Sequence, residues 1–469
     1  MIEIQSDVLQ TIDRCFSEFH NASKHPGMQY AISYRGRVIH AGSLGNRTLN
    51  PALPMERDSI SRIASMTKSF ATAAMLRLRD QGLVDIDAPL ASIAPRLTLV
   101  EPFAGASLRN LMAMKLDLPV DDPWADRVLD AHEHEHEAYF ARPMLQAGVG
   151  RSTCSYSNLS YILLGRIIRE ISGRSAMEYI STEILRPLGL RDTVWNISKE
   201  NRERIARGYR VDSTPHVEER HFTCQSDGVV FGGLWSTVDD LAVWLEFIRG
   251  DEASPASWDD VLSKPSRREL WRAYSTYPAQ PERSLISGQP INSKAHYGFG
   301  LVTHTILGVD YVSHSGGLPG YGSHMRVHPE SGLGIIALGN GTCCRASTPC
   351  SFALHHLILS LEPSHQARFT TVVDTGGRVA EFALSGGAGE PSDLFTYNVW
   401  QDNLPERFAQ ETRKVCETLG ADIKVESIMC LSGYQGEVIF VGSGGTRKLS
   451  YSLAPVAPAR VQSIEWAEA

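Results

Sequence analysis

The sequence predicts an α+β protein, because segments with the two-residue period of strands lie on both sides of a long segment with the period of helices. Alternating residues at 29–34 and 38–41 flank Arg35-Gly36-Arg37, an arrangement typical of a β-hairpin. From about residue 90 to 249 the apolar residues recur mainly with the helical period. A hairpin therefore precedes a mainly helical region.

Further strands are predicted after the helical region. An alternating run leads through Tyr311 and an apolar run occupies 334–338, before a helical segment at 352–361. Between 251 and 293 the composition shifts to charged residues, serine and proline. We expect a surface excursion there, with one short helix near 267–273.

Beyond residue 362 the pattern becomes β-rich, which predicts two domains, 1–362 and 363–469. The second also contains a helical stretch at 405–419. Gly442-Ser443-Gly444-Gly445 lacks the G-K-[ST] of a phosphate loop and is interpreted as a hairpin turn. Strand-like alternation occurs in five runs, at 380–384, 396–400, 425–431, 437–441 and 449–453.

The composition restricts the classes of partner. The chain has 469 residues, of which 42% are hydrophobic and 21% charged, as in an ordinary soluble protein, with a net charge of −8 and a pI near 6.1. No basic patch interleaved with aromatic residues occurs, so a nucleic-acid partner is not expected. The segment 1–7 lacks a basic region followed by an apolar core, and no later run is long enough to span a bilayer. We expect a cytoplasmic protein with no membrane partner.

Neither the cysteines nor the histidines predict a metal centre. No C-x-x-C repeat occurs, so we expect reduced, mostly packed thiols, with Cys154 as a buried small side chain. His132 and His136 have the i, i+4 spacing used for zinc, but they lie in an alternating run of histidine and glutamate that is more typical of a solvated helix face. Neither a metal nor a cofactor is expected. The cysteines are Cys15, Cys154, Cys224, Cys343, Cys344, Cys350, Cys416 and Cys430.

The most informative motif is Ser65-Met66-Thr67-Lys68, immediately before an apolar helical run at 70–83. Three helical steps place the serine hydroxyl and the lysine amine on nearly the same face, one turn apart. An amine can accept the hydroxyl proton only while it is neutral, so Lys68 would need a pKa well below its usual value of about 10.4. The spacing alone is also compatible with an N-capping serine and an exposed lysine.

Two more motifs follow in order. Tyr156-Ser157-Asn158 precedes an apolar helical stretch at 159–171, which places Tyr156 at the junction of a loop and a helix. His314-Ser315-Gly316-Gly317 comes directly after the strand through Tyr311, and its glycines would let a ligand approach the backbone closely. Taken singly, Tyr156 is compatible with a half-buried aromatic residue and Asn158 with a helix N-cap.

These three motifs, in this order, resemble the active-site motifs of serine penicillin-binding proteins and class C β-lactamases. The resemblance covers about three quarters of the chain. It implies an antiparallel sheet flanked by helices, an all-helical region beside it and the active site in the cleft between the two. The supporting segments are Arg62-Ile63-Ala64, Asp80-Gln81-Gly82-Leu83-Val84-Asp85-Ile86-Asp87, Leu185-Arg186-Pro187-Leu188-Gly189-Leu190, Gly233-Leu234-Trp235-Ser236-Thr237 and Tyr297-Gly298-Phe299-Gly300.

The resemblance also implies a role for each residue. Ser65 would be the acylated nucleophile, Lys68 its base, and Tyr156 the group that passes a proton to the leaving atom. Asn158 would hydrogen-bond to the lysine or to the substrate amide. The backbone N–H groups of Ser65 and Gly317 would form the oxyanion hole, with Gly316 beside the substrate.

Two departures from the family are visible. His314 stands where the penicillin-binding proteins usually have lysine, and a histidine with a pKa near 6.5 is mostly neutral at pH 7, so it would anchor a carboxylate more weakly. Histidine is familiar there among esterase, D-aminopeptidase and peptidyl-transfer relatives. In Met114-Lys115-Leu116-Asp117-Leu118-Pro119, relatives often have a small residue and glycine before the Leu-Pro.

The expected function is therefore acyl transfer through an ester on Ser65. The donor would be a peptidyl ester, thioester or amide that contains a D residue and is bound to a carrier protein, and the acceptor would be an amine or water. The combination resembles penicillin-binding-protein-type thioesterases that release and macrocyclise nonribosomal peptides. A carboxylesterase, a D-aminopeptidase and a β-lactamase-like hydrolase remain as alternatives, and a non-catalytic binding protein as a further one.

The β-rich second domain has counterparts in the same superfamily. Several members carry a C-terminal β domain, often lipocalin-like, that caps the cleft and limits the size of the substrate. Arg447 follows the predicted glycine turn and could reach a substrate carboxylate in place of the missing lysine. An exposed arginine at the start of a strand is the alternative.

Overall fold

The computed structural model describes residues 4–150, 152–212, 216–278, 293–306, 308–342, 344–361 and 363–468. These residues divide into two compact units, one mainly before residue 358 and the other mainly after it. Glu362, at the predicted domain boundary, lies outside the described residues. The division into domains 1–362 and 363–469 therefore stays a prediction.

The first unit is organised around a sheet that has nine strands in the described part of the chain, in the order β3-β2-β1-β13-β12-β11-β10-β9-β8. The central pairs β1–β2, β1–β13, β12–β13 and β11–β12 are antiparallel. The short strands β4 and β7 pair with each other, as do β5 and β6. The strands of this unit are β1 Gly27–Tyr34, β2 Arg37–Leu49, β3 Ala52–Pro54, β4 Ser61–Arg62, β5 Tyr209–Arg210, β6 Val217–Glu218, β7 Trp235–Ser236, β8 Ser275–Thr276, β9 Ser293–Tyr297, β10 Val302–Ile306, β11 Val309–Leu318, β12 Tyr321–Val327 and β13 Leu333–Gly339.

Helices cover this sheet and form the adjoining helical region. Helix α9 packs on β1, β2, β12 and β13, while α2 packs on α7 and α8. The helices that begin before residue 358 are α1 Ser6–Ser23, α2 Thr67–Asp80, α3 Leu90–Ile93, α4 Leu108–Met112, α5 Asp122–Ala125, α6 Glu133–Phe140, α7 Asn158–Ser172, α8 Ala176–Ile180, α9 Val238–Arg249, α10 Lys264–Glu269 and α11 Ser347–Leu361. The α+β prediction, with an antiparallel sheet flanked by helices, is confirmed.

The predicted hairpin is β1–β2, and the predicted strands near Tyr311 and at 334–338 are β11 and β13. Every residue of β13 is buried on both faces of the sheet, and helix α9 packs on this strand. This explains why the segment has a continuous apolar sequence instead of an alternating one. The short helix expected near 267–273 is α10, which begins and ends slightly earlier, and residues 279–292 of the expected excursion lie outside the described part.

Helices α2 and α7 begin within the first two motifs and pack against each other in the core of the unit. Helix α2 has apolar or small side chains on nearly all sides and is almost entirely buried. Helix α7 ends at Gly173, whose φ of 70° is the left-handed conformation that favours glycine at a helix C-terminus. The predicted helical runs at 70–83 and 159–171 are confirmed within a few residues at each end.

The second unit contains an antiparallel sheet in the order β14-β15-β16-β17 and helices that pack on it. Gly442 and Gly445 form the last pair between β15 and β16, so the glycine-rich segment is the predicted hairpin turn. The helix predicted at 405–419 is confirmed as α14. The elements are α12 Pro363–Leu384, α13 Tyr397–Asp402, α14 Pro405–Leu419, β14 Lys424–Ser432, β15 Gln435–Gly442, β16 Gly445–Leu453 and β17 Val461–Glu468.

Two of the five predicted strands in this unit are wrong. Residues 380–384 end helix α12, and residues 396–400 enter helix α13. In α12 the buried residues Val372, Thr375 and Val379 recur every three to four positions, a period that a five-residue window at its end cannot show. A lipocalin barrel has eight strands, whereas the described sheet of this unit has four and is accompanied by three helices, so the lipocalin-like comparison does not describe it.

None of the helices in the described part of the chain is both long enough and apolar enough to cross a membrane.

The contact between α7 and the 3₁₀ turn at Asp227–Phe231 gives a test of the packing. A Cβ added to Gly165 would lie 2.0 Å from the backbone oxygen of Asp227. We therefore expect Gly165→Ala to lower the free energy of unfolding by about 1–3 kcal/mol, measured by chemical denaturation. Gly377 of α12 is the matched control, because its added Cβ would meet nothing within 4 Å. Gly377→Ala should be neutral or stabilising by up to about 1 kcal/mol, and equal stability of Gly165→Ala and wild type would contradict the packing.

Candidate active site

Ser65 lies in a 3₁₀ turn, Ala64–Met66, that leads directly into α2. Ala64 has a φ of 48°, a left-handed conformation that is unfavourable for a residue with a Cβ. The backbone before the nucleophile is therefore held in a strained conformation by its surroundings. Ser65 itself is partly exposed, whereas its neighbours Ala64 and Met66 are buried.

Lys68 extends from the first turn of α2 and is completely buried. Its Nζ lies 2.8 Å from the Ser65 Oγ, 2.7 Å from the Asn158 Oδ1 and 2.8 Å from the backbone oxygen of Phe231. The ring of Tyr156 is 4.9 Å from the same nitrogen. The structure thus brings together the first two motifs around one amine.

The three contacts determine where the lone pair of a neutral Lys68 points. The Asn158 Oδ1 and the Phe231 carbonyl oxygen can only accept hydrogen bonds. A neutral amine has two N–H bonds, and these two oxygens occupy both. The lone pair is then left to face the third neighbour, the Ser65 hydroxyl, and can accept its proton.

Burial makes the neutral amine accessible near physiological pH. Desolvation lowers the pKa of Lys68 to about 8, against the opposing effect of the carboxylates of Asp122, Asp126 and Asp121. At pH 7 roughly a tenth of the amine is then neutral, compared with well under a thousandth for an exposed lysine. The buried position of Lys68 thus gives it the lowered pKa that acceptance of the Ser65 proton would need.

Tyr156 lies beside Ser65 and Lys68, and its phenol keeps its proton at neutral pH. Burial, together with the negative charge of Asp122, raises the pKa of its phenol well above the usual 10, and an interaction with the Ser65 hydroxyl offsets only part of this rise. The phenol therefore remains protonated at neutral pH. These protonation states fit the predicted roles of Lys68 as base and Tyr156 as acid, which stay predictions.

Asn158 is held by the first residue of α5, Asp122, and by the residue before it, Asp121. Its side-chain Nδ2 donates to the Asp122 Oδ1 at 2.7 Å and to the Asp121 Oδ1 at 3.1 Å. Asp121 also accepts from the backbone N–H groups of Asn158 and Leu159 and from the Ser157 hydroxyl. Asp121 therefore caps α7, a role that a side chain distant in sequence supplies here.

His314 is buried on β11, near Tyr156 and Tyr297. Its Nδ1 lies 2.5 Å from the backbone oxygen of Ser315, which can only accept, so Nδ1 carries the proton. The Nε2 then accepts from the Tyr297 hydroxyl at 3.3 Å. Burial, followed by the charge of Lys68, lowers the pKa of His314 to about 3, so the third motif holds no cation at neutral pH.

The two glycines after His314 have different surroundings. A Cβ on Gly316 would lie 2.2 Å from the backbone oxygen of Ile63 and 2.9 Å from the Ala64 Cβ, so β11 approaches the nucleophile turn closely at this point. A Cβ on Gly317 would meet nothing within 4 Å. The structure thus places Gly316 against the turn and Gly317 beside open space. The oxyanion-hole role of the Ser65 and Gly317 N–H groups and the substrate-binding role of Gly316 stay predictions.

Arg447 belongs to the second unit, where it lies on β16 opposite Phe440. Its Nη1 donates to the backbone oxygen of Thr446 at 2.8 Å. Its contact with a substrate carboxylate stays a prediction.

The sequence analysis missed Asp121, Asp122 and Phe231. The acidic pair follows Leu118-Pro119-Val120 and has no helical spacing to Asn158, so only the fold brings it to the site. Phe231 acts through its backbone oxygen, which side-chain patterns do not reveal.

One departure noted in the sequence has a structural explanation. Asp117 has a φ of 57°, and aspartate is among the few residues other than glycine that tolerate this region. Its Oδ1 accepts from the backbone N–H groups of Val149 and Gly150, at 2.9 and 3.3 Å. The residue thus adopts a conformation that glycine would also allow, and it anchors the loop at 147–150.

The histidine run is not a solvated face throughout. His132 precedes helix α6 as its N-cap, whereas His136 is buried, with its Nδ1 3.0 Å from the Ser226 Oγ and its Nε2 3.2 Å from the Val128 carbonyl oxygen. The described residues contain no group of three or more histidine, cysteine or acidic side chains arranged to hold a metal ion. Cys154 is buried as predicted, and Cys343 lies outside the described residues.

The chain is similar to a known protein family and to individual penicillin-binding relatives. A family model described as Beta-lactamase matches residues 12–343. The chain is 27% identical to penicillin-binding protein 4* of Bacillus subtilis (strain 168) over 65% of this chain and 66% of that protein. It is 24% identical to protein flp of Staphylococcus aureus (strain N315) over 72% of this chain and 64% of that protein. The chain thus spans about two thirds of the length of these relatives.

Solved structures show a related fold. The octameric penicillin-binding protein homologue from Pyrococcus abyssi aligns with a TM-score of 0.61 and 22% identity, over 96% of this chain and 91% of that chain. A class C β-lactamase aligns with a TM-score of 0.60 and 17% identity, over 77% of this chain and 99% of that chain.

The lowered pKa of Lys68 predicts the pH dependence of serine acylation. Only the neutral amine accepts the Ser65 proton, so the rate should rise with pH and level off above a midpoint of about 8. The measurement is the rate of Ser65 labelling by a fluorophosphonate probe from pH 6 to 10, with Ser65→Ala as the unlabelled control. A labelling rate that does not change over this range would contradict Lys68 as the base.

Proposed function

Because the chain belongs to the β-lactamase family, we propose that it is a serine acyl-transfer enzyme that takes a peptidyl group onto Ser65 and passes it to an amine or to water. The observation that carries the proposal is the buried amine of Lys68, whose two N–H bonds have acceptors and whose lone pair faces the Ser65 hydroxyl. Such an arrangement activates a serine that would otherwise be a weak nucleophile.

The acylation step follows from this geometry. Neutral Lys68 accepts the Ser65 proton as the Oγ attacks the donor carbonyl, which gives a tetrahedral oxyanion. The backbone N–H groups of Ser65 and Gly317 would stabilise that charge, and each such donor is worth about 3 kcal/mol. The carbon bond to the leaving atom then breaks, and the Tyr156 hydroxyl supplies a proton to that atom. Lys68 returns its proton to the phenol oxygen.

The neutral state of His314 supports a donor without a free carboxylate next to the scissile carbonyl. A neutral imidazole whose two nitrogens are engaged with Ser315 and Tyr297 offers no positive charge to such a group. A peptidyl ester, thioester or amide meets this condition. We propose a peptide with a D residue at the reacting end, on a carrier protein in the cytoplasm, as the donor.

The lack of a positive charge at His314 also distinguishes between the alternative activities. A β-lactam carries a carboxylate close to the ring that is opened, so β-lactam hydrolysis is disfavoured at this site. A carboxylesterase or a D-aminopeptidase uses the same acyl-enzyme with water as the acceptor. Peptide macrocyclisation instead requires the amine of the donor to reach the ester before water does.

Product analysis separates these outcomes. We expect a linear peptidyl thioester to be consumed by the wild-type protein and to give a cyclic product, which mass spectrometry finds lighter than the linear acid by one water. Ser65→Ala is the matched control and should leave the thioester intact. Formation of the linear acid alone would replace cyclisation by hydrolysis, and no consumption at all would contradict the proposed function.

The role assigned to His314 has its own test. Two donors are compared that differ only in whether a carboxylate beside the scissile carbonyl is free or is blocked as an amide. We expect kcat/KM to be at least about tenfold higher for the blocked donor, because a site without a cation leaves the carboxylate unpaired. A preference for the free carboxylate would show that a cation elsewhere binds it.

A further inference from the structure

The side-chain amide of Asn158 lies between carboxylates on one side and the catalytic amine on the other. Its Nδ2 is 2.7 Å from the Asp122 Oδ1 and 3.1 Å from the Asp121 Oδ1, while its Oδ1 is 2.7 Å from the Lys68 Nζ. Asn158 is completely buried, so water does not compete for these contacts. The result is a continuous chain of hydrogen bonds from Asp122 to the Ser65 hydroxyl.

The carboxylates determine which way the amide faces. An ionised carboxylate only accepts hydrogen bonds, so the NH₂ group of Asn158 must face the two aspartates and its oxygen must face Lys68. If the amide were reversed, its oxygen would face the carboxylates and its NH₂ group would face the amine. The NH₂ group would then donate to the lone pair of neutral Lys68, which is the lone pair that Ser65 requires.

We propose that Asp122 is a positioning residue that, by fixing the orientation of the Asn158 amide, keeps the lone pair of Lys68 directed at Ser65. The inference rests on the proposed function and adds a residue to its machinery. The Asp122 carboxylate accepts from the Asn158 amide and acts on Lys68 through it.

The neighbouring aspartates have other roles. Asp121 accepts from two backbone N–H groups at the start of α7, so its loss would disturb the helix as well as the amide. Asp126 acts on Lys68 by its charge. Burial and the adjacent carboxylates raise the pKa of Asp126 itself to about 7, although Lys68 opposes the rise. Asp122 is therefore the position that tests the amide, and Asp126 provides a control for charge.

Removal of the Asp122 carboxylate has two effects on the rate of Ser65 acylation, and at pH 7 they have opposite signs. Removing a negative charge near Lys68 lowers its pKa further, which increases the neutral fraction and should speed acylation at this pH. Losing the orientation of Asn158 should slow acylation at every pH. The charged and titratable groups that face Lys68 are Asp121, Asp122 and Asp126 from the segment of α5, Tyr156 and Tyr161 from the segment of α7, and His314 from β11.

The experiment measures fluorophosphonate labelling of Ser65 against pH for wild type, Asp122→Ala, Asp122→Asn and Asp126→Asn. Asp122→Ala removes both the charge and the acceptor, and we expect its high-pH plateau to fall by about 10- to 100-fold. Asp122→Asn removes the charge but keeps an acceptor oxygen, so it should retain more of the plateau than Asp122→Ala. Asp126→Asn should move only the midpoint, to lower pH.

A double-mutant cycle with Asn158→Ala checks that Asp122 acts through the amide. Once the amide is absent, Asp122→Ala should cause no further loss of the plateau. Thermal unfolding of each variant establishes that it is folded. If Asp122→Ala does not fold, Asp122→Asn takes its place in the cycle.

Failure of this inference and failure of the proposed function give different labelling results. If wild type is labelled at Ser65 and Asp122→Ala keeps the wild-type plateau, or if its loss adds fully to that of Asn158→Ala, the inference is overturned and the proposed function stands. If wild type itself is not labelled, the proposed function fails and the inference fails with it.

Discussion

The site depends on one buried amine that has two obligate hydrogen-bond acceptors and one hydroxyl as its neighbours. The Asn158 oxygen comes from α7, the Phe231 oxygen from a 3₁₀ turn, and the Ser65 hydroxyl from the turn before α2. Because the two oxygens can only accept, the direction of the lone pair is fixed by the fold and not by the lysine side chain. Burial of the same amine lowers its pKa, so direction and protonation state have one structural cause.

The surrounding elements can be understood as supports for this arrangement. Helix α2 is buried on nearly all sides, which fixes the position of Lys68. Asp121 caps α7 and fixes Asn158, while β11 lies against the backbone of Ile63 and sets the distance from the third motif to the nucleophile turn. The Gly165 contact draws α7 onto the turn that carries Phe231. Each acceptor is therefore placed by a helix or a turn with its own packing constraint.

The sequence predicted those parts of the fold and of the site that depend on local period and spacing. The hairpin β1–β2, helices α2 and α7, and the one-turn separation of Ser65 and Lys68 are of this kind. The runs at 380–384 and 396–400 were too short to separate the two periods, and β17 was not predicted. Asp122 and the Phe231 oxygen lie far from Lys68 in sequence, and a backbone oxygen has no residue type, so tertiary structure alone reveals them. The sequence predicted that His314 is mostly neutral at pH 7, from the usual pKa of histidine. How far its pKa is lowered depends on burial, which only the structure shows.

The close approach of β11 also limits how this pocket can be altered by protein engineering. Any side chain at position 316 would push the strand away from the backbone oxygen of Ile63 and would disturb the turn that presents the nucleophile. One residue further along the strand, the space beyond position 317 is open. Of these two positions, only 317 has room for a side chain, so substitution beside the nucleophile turn is open at 317 and closed at 316.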